Sequence, residues 1–149
     1  MKFISVIVGL LMFSGCAGKH VTVREDNKLS LDGCYPLPNC VSSETWVLYN
    51  RTAPFELAIP REEAWPMIEK AILSMPRTEI VEYNEVYIHA KFRSRVFGFV
   101  DHLELLLDPD RDRISVRSSS LIAIFDFGVN RLRIHNLRKQ LAGLNIIRE

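Results

Sequence analysis

The sequence predicts an α+β domain: a curved antiparallel β-meander sheet with two helices packed on one face. Three observations carry this. Runs of alternating apolar and polar residues follow one another at short spacing between residues 78 and 120. An apolar stripe with helical spacing, Trp65, Ile68, Ile72 and Met75, precedes them. A second stripe, Ile134, Leu137, Leu141 and Leu144, closes the chain. Strands grouped together with helices at either end argue for α+β rather than α/β.

The chain opens "MKFISVIVGLLMFSGCAGKH". Lys2 gives a positive start. The apolar run from Phe3 to Phe13 is too short to span a bilayer, which takes about 20 residues. Small residues end the run, as in a secretory signal. Ser14-Gly15-Cys16 resembles the lipobox of bacterial lipoproteins, with Phe13 where Leu is usual. The resemblance implies a signal peptide over 1–15 and a lipidated, acylated Cys16. Two or more acyl chains make such an anchor stable. Ala17, rather than Asp, follows the cysteine, and by the same analogy that directs the protein to the outer membrane, facing the periplasm. Residues 16–33, polar and without a clear period, read as the lipidated N-terminus and a tether, and residues 34–149 as one globular domain.

"CYPLPNCVSS" comes next, too rich in proline for a helix. With Cys16 lipidated, Cys34 and Cys40 remain, and an even count in an oxidising compartment suits a disulfide. Free thiols and a zinc site are the competing readings. Zinc would want four ligands, and no second pair is visible.

"APFELAIP" reads as a short strand. In "PREEAWPMIEKAILSMP", Glu62 and Glu63 occupy a first turn, where carboxylates suit the helix dipole, and Pro66 is tolerable if the helix starts near Glu62. Pro76 ends that helix. "EIVEY" and "VYIHAKF" form a hairpin across Asn84-Glu85. Val86, Ile88, Ala90 and Phe92 face in, while Tyr87, His89, Lys91 and Arg93 face out. In "GFVDHLELLLD", Phe99, Leu103, Leu105 and Leu107 share a face with Asp101. "DPDRDR" is a turn by composition, and "ISVRSSS" follows with Ile114 and Val116 facing in. In the final helix Asp126 is the candidate N-cap, and Gly143 could close the C-terminus.

Nearly half the residues are apolar and a quarter charged, with a formal net charge of +1. That is a globular balance with no field directed at nucleic acid. No cofactor is expected. The last forty or so residues lean basic, through Arg111, Arg113, Arg117, Arg131, Arg133, Arg138, Lys139 and Arg148. A solvated helix face accounts for them, with contact to anionic lipid or glycan as the alternative.

The motifs "CYPLPNCVSS", "AWPMIEKAI", "FRSRVFGFVDHLEL", "VRSSS" and "DFGVNRLRIHNLRKQL" together resemble domain of unknown function 1499, over about Cys34 to Leu141. The family often has a second Asp where His102 stands, and an Arg where Leu121 stands. The resemblance implies a domain and no chemistry.

Asp101, Arg117, Ser118, Ser120, Asp126, Asn130 and Arg131 form the candidate polar site. Asp101 and Asn130 fall on apolar faces, where a polar group is costly unless paired. Arg117 or Arg131 is the expected partner of Asp101 or Asp126. One reading is a structural network tying sheet edge to helix. The other is a small pocket for an anionic headgroup or glycan. No Gly-x-Ser-x-Gly, His-Glu-x-x-His or phosphate loop is present. His102 and Glu104 alternate outward as two weak metal candidates without a third, and His20, His89 and His135 read as surface residues. The expectation is a noncatalytic envelope lipoprotein whose partner is a lipid, glycan or protein. The alternative is a hydrolase-like enzyme using the Asp/Arg/Ser cluster.

Overall fold

The computed structural model describes residues 21–25, 28–95, 98–121 and 128–148. Cys16 and Asp126, and with them the lipidation site and the proposed cap, lie outside these residues. The elements run in the order β1 (Val21–Val23), β2 (Leu29–Leu31), β3 (Cys40–Ser42), a 3-10 turn (Leu48–Asn50), β4 (Phe55–Glu56), α1 (Arg61–Leu73), β5 (Thr78–Tyr83), β6 (Tyr87–Arg93), β7 (Val100–Asp108), β8 (Arg113–Ser120) and α2 (Val129–Gly143).

Strands β5 to β8 form the meander, each antiparallel to the next. The sheet has six strands, is open and somewhat curved, and continues past β8 with two short strands on one edge. β3 pairs with the second half of β8, Val41 opposite Ser118. β4 pairs with its first half, Phe55 opposite Ile114. Alternation then decides everything above the sheet. Ile88, Ala90 and Phe92 of β6, Asp101 to Leu107 at odd positions of β7, and Ile114 to Ser120 at even positions of β8 share one face, as their register requires.

Both helices cover that face. α2 lies over β8 and β3, α1 over β5, and the two helices touch each other. Pro66 sits within the first turns of α1 and its ring does not interrupt the element. Ala64, Trp65, Ile68, Ala71 and Ile72 of α1 meet Ile134, Leu137 and Leu141 of α2 over Leu103, Leu105 and Val116. At about 25 cal/mol per Å2 such burial is the main favourable term of the fold.

Three expectations need correction. The tether does not run to residue 33. Val21–Val23 and Leu29–Leu31 pair as a hairpin, and Leu31 is buried with Tyr87 and Leu106 on the face opposite the helices. The lone apolar side chains in that polar segment were enough to seat it. Leu144 is exposed rather than part of the stripe, because α2 ends at Gly143. Ile146 and Ile147 are buried in its place, with Ile147 bridged to Leu57. Phe99 precedes β7 and is partly exposed, so it does not share the face of Leu103.

Candidate functional site

The polar residues collect in two layers, one on each face of the sheet. The helix-facing layer begins with Asp101, placed by alternation beside Leu103 and opposite Phe92 and Ser120. Its partner is Arg133 of α2, whose Nη2 donates to Oδ2 at 2.5 Å. Neither Arg117 nor Arg131 is in that position. Arg133 stands one helical turn after Asn130 and before Leu137, so it points with the apolar stripe toward the sheet. Its Nη1 donates to Asn130 Oδ1 at 2.6 Å and to Ser118 Oγ at 2.9 Å. Its guanidinium also lies 4.5 Å above the centre of the Phe92 ring.

Asn130 is fully enclosed. Its Nδ2 donates to Ser120 Oγ at 2.8 Å and to the Asn39 carbonyl at 3.2 Å. The Ser118 hydroxyl lies 2.7 Å from Asn130 Oδ1 and 2.9 Å from the His102 carbonyl, and its single proton serves one of them at a time. Asn39 closes the circuit, its side chain donating to the Ser120 carbonyl at 3.0 Å. Asp101, Ser118, Ser120 and Asn130 therefore lie together, around an arginine that the sequence reading had assigned to the basic surface.

Arg117 belongs to the opposite layer. Ile114 and Val116 face the helices, so Arg117 must face away. There its Nη1 donates to Glu104 Oε2 at 2.8 Å and to Ser119 Oγ at 3.0 Å. Glu104 Oε1 accepts from the Tyr87 hydroxyl at 2.6 Å. Burial, then the hydrogen bond to Glu104, pushes the Tyr87 hydroxyl well above its ordinary range. Beside them His89 Nε2 and His102 Nδ1 are 2.7 Å apart, with the rings stacked. The two histidines are diagonal neighbours, because His89 faces Glu104 and His102 faces Lys91 in the register.

His89, His102 and Glu104 are thus buried, where alternation alone had put them in solvent. Part of the cause is the β1–β2 hairpin, which packs over β7 and β8. His102, at the position where the family often carries a second Asp, is committed to its histidine neighbour. Leu121, where an Arg is usual, is exposed. Among the described residues no three His, Cys, Asp or Glu side chains converge as a metal site.

Arg131 is on the surface. It donates to the carbonyls of Tyr49 and Arg51, the latter at 3.1 Å. α2 begins at Val129 with Gly128 at its cap, φ +76°, a conformation that suits glycine. Cys34 and Cys40 form a disulfide, with Cα atoms 5.7 Å apart. The free-thiol and zinc readings are set aside.

Between sheet and helices Ile68, Ile72, Leu103, Leu105, Leu137 and Leu141 are enclosed completely. Open clefts lie at the rim. One of about 830 Å3 sits among Trp65, Tyr83, Arg61 and Pro109. Another of about 260 Å3 separates the hairpin from the β7–β8 turn, where Lys28 holds Asp110 at 2.8 Å.

The geometry defines a class: an open-sheet α+β domain with a buried apolar core and a buried ion pair on each face of its sheet. The chain belongs to the family described as protein of unknown function (DUF1499), whose model matches residues 30–141. No curated protein and no solved structure matches it.

Proposed function

We propose that this chain is a noncatalytic envelope lipoprotein. It is anchored through Cys16, sits in the outer membrane facing the periplasm, and presents its domain to a lipid, glycan or protein partner. One observation carries the noncatalytic part. Asp101, the carboxylate of the candidate polar site that lies among the described residues, is matched inside the domain by Arg133, and Glu104 on the other face of the sheet is matched by Arg117. Neither faces an open cleft with an unmatched arginine, the arrangement a polar active site would need. The envelope part draws support from the Ser14-Gly15-Cys16 stretch and from the Cys34–Cys40 bridge, since disulfides persist in oxidising compartments.

The experiment is fractionation with mass measurement of the N-terminal peptide. The wild type is expected in the membrane fraction with Cys16 acylated, and Cys16→Ser is expected to lose the acyl mass and leave that fraction. A wild-type chain without acyl mass overturns the anchor.

A further inference from the structure

Five of the sixteen exposed large apolar side chains among the described residues fall between residues 35 and 49, three of them aromatic. Tyr35, Leu37, Trp46, Leu48 and Tyr49 all stand in solvent. They occupy two loops that are locked together. The disulfide closes the first. The buried Asn50 amide donates to the carbonyls of Leu37, at 2.7 Å, and of Cys40, and Thr45 Oγ1 donates to the Cys34 carbonyl at 3.4 Å. A preorganised apolar surface of this kind marks an interaction face.

Among the described residues, two cations border it. Arg51 and Arg131 are exposed beside Tyr49, with Arg131 fixed to the loop by its two carbonyl contacts. Glu44, the acid within these loops, is turned away to Ser115 and to Arg113 at 3.7 Å. Asp32, just before them, is half-buried. Tryptophan and tyrosine with nearby arginine suit the boundary between headgroups and acyl chains, and arginine favours anionic lipid.

The path of the chain supplies the occupant. Val21 pairs with Leu31, about 5 Å away across the hairpin. Leu31 precedes Cys34 by three residues, a span of at most about 11 Å. Cys16 precedes Val21 by five residues, at most about 18 Å of chain. A lipid on Cys16 therefore holds the bilayer within about 35 Å of chain path from the disulfide loop.

We propose that the platform of Tyr35, Leu37, Trp46, Leu48 and Tyr49 is the face this domain lays on an anionic phospholipid bilayer, with Arg51 and Arg131 meeting the headgroups. This rests on the lipid-anchor reading above, and the two can fail separately. The chain has two tryptophans. Trp46 is 79% exposed and Trp65 is 5% exposed, so Trp46 reports on the platform.

The test reconstitutes the full chain, as isolated from the membrane, in vesicles of phosphatidylethanolamine and phosphatidylglycerol carrying brominated acyl chains. Trp46 emission is expected to move to the blue and to fall about twofold against unbrominated vesicles, as for a ring at the interface. Trp46→Phe should abolish the quenched component. Arg51→Gln with Arg131→Gln should weaken the quenching in these vesicles and leave it unchanged in neutral phosphatidylcholine. An acylated, vesicle-bound chain with Trp46 unquenched overturns the platform and leaves the anchor standing. A chain without acyl mass is mixed with the same vesicles in solution, where quenching supports the platform without the anchor and its absence overturns both. Unquenched Trp46 in a dimer that Trp46→Ser dissociates overturns the proposal in favour of a second copy.

Discussion

The two faces of the sheet solve the same problem differently. Each buries a carboxylate on β7 against an arginine. On the helix side the pair joins layers: Asp101 is on the sheet, Arg133 is on α2, and Asn130, Ser118, Ser120 and Asn39 tie the joint into three segments of chain. On the far side the pair stays within the sheet, Glu104 and Arg117 facing one another across adjacent strands. A pair between layers fixes where a helix sits. A pair between strands adds to a register that backbone hydrogen bonds already hold. The difference teaches that equal burial does not mean equal structural weight.

The largest effect is therefore expected at Asp101. Asp101→Ala leaves the Arg133 guanidinium buried and unpaired, a change that costs about 3–5 kcal/mol. Chemical denaturation should show it as a lower midpoint with little change in slope. Replacing Asp101 and Arg133 together with leucine and methionine should recover much of that loss. If Asp101→Ala alone keeps wild-type stability, the joint does not hold the helix and the comparison collapses.

A smaller loss is expected at Glu104. Glu104→Gln still accepts from Tyr87, and Arg117 keeps Ser119, so about 3 kcal/mol, the low end of the same range, is the expectation. The same denaturation experiment ranks the two faces directly. A larger loss for Glu104→Gln than for Asp101→Ala would reverse the order argued above.

The smallest effect sharpens the far face by pH. Tyr87→Phe removes a hydrogen bond to a carboxylate, worth about 1.5 kcal/mol. The folded protein raises the Tyr87 pKa above the ordinary 10.0. The neutral phenol is thus the favoured form in the fold, and its contribution is whole below about pH 10 and fades as pH rises beyond it. Wild-type stability should fall with pH above about 10 more steeply than that of Tyr87→Phe. Tyr83, also raised by burial and by Glu69 but partly exposed, is the control position. Parallel curves for wild type and Tyr87→Phe would deny the coupling to Glu104.

Much of this was legible in the sequence, and the limits have physical causes. Alternation placed Asp101 among leucines, and helical spacing placed Asn130 on the inner side of α2. The same rules, pressed further, separate Arg117 from Asp101: Val116 and Ser118 face in, so the residue between them faces out. They also put Arg133 in the stripe with Asn130, Ile134 and Leu137, though a run of basic residues disguises it. What alternation cannot reveal is whether the outward face meets water. Tyr87, His89, His102 and Glu104 look like a solvent face until the fold covers it. Part of the cover is a hairpin from a segment with no recognisable period, seated by contacts far apart in sequence. Nothing local announces it.

The way β3 and β4 share β8 bears on how this protein keeps to itself. An open sheet has two rims of unpaired amides and carbonyls, and each is a template on which another chain can add a strand. Here the rim beyond β8 is divided between Cys40–Ser42 and Phe55–Glu56, segments too short to guide an incoming strand. The opposite rim is β5, whose register shifts between Ile80 and Glu82 and whose exposed side carries Glu79. A break in register and a carboxylate both work against a new strand docking there. Copies of this chain that meet find two rims that resist zipping into a continuous sheet.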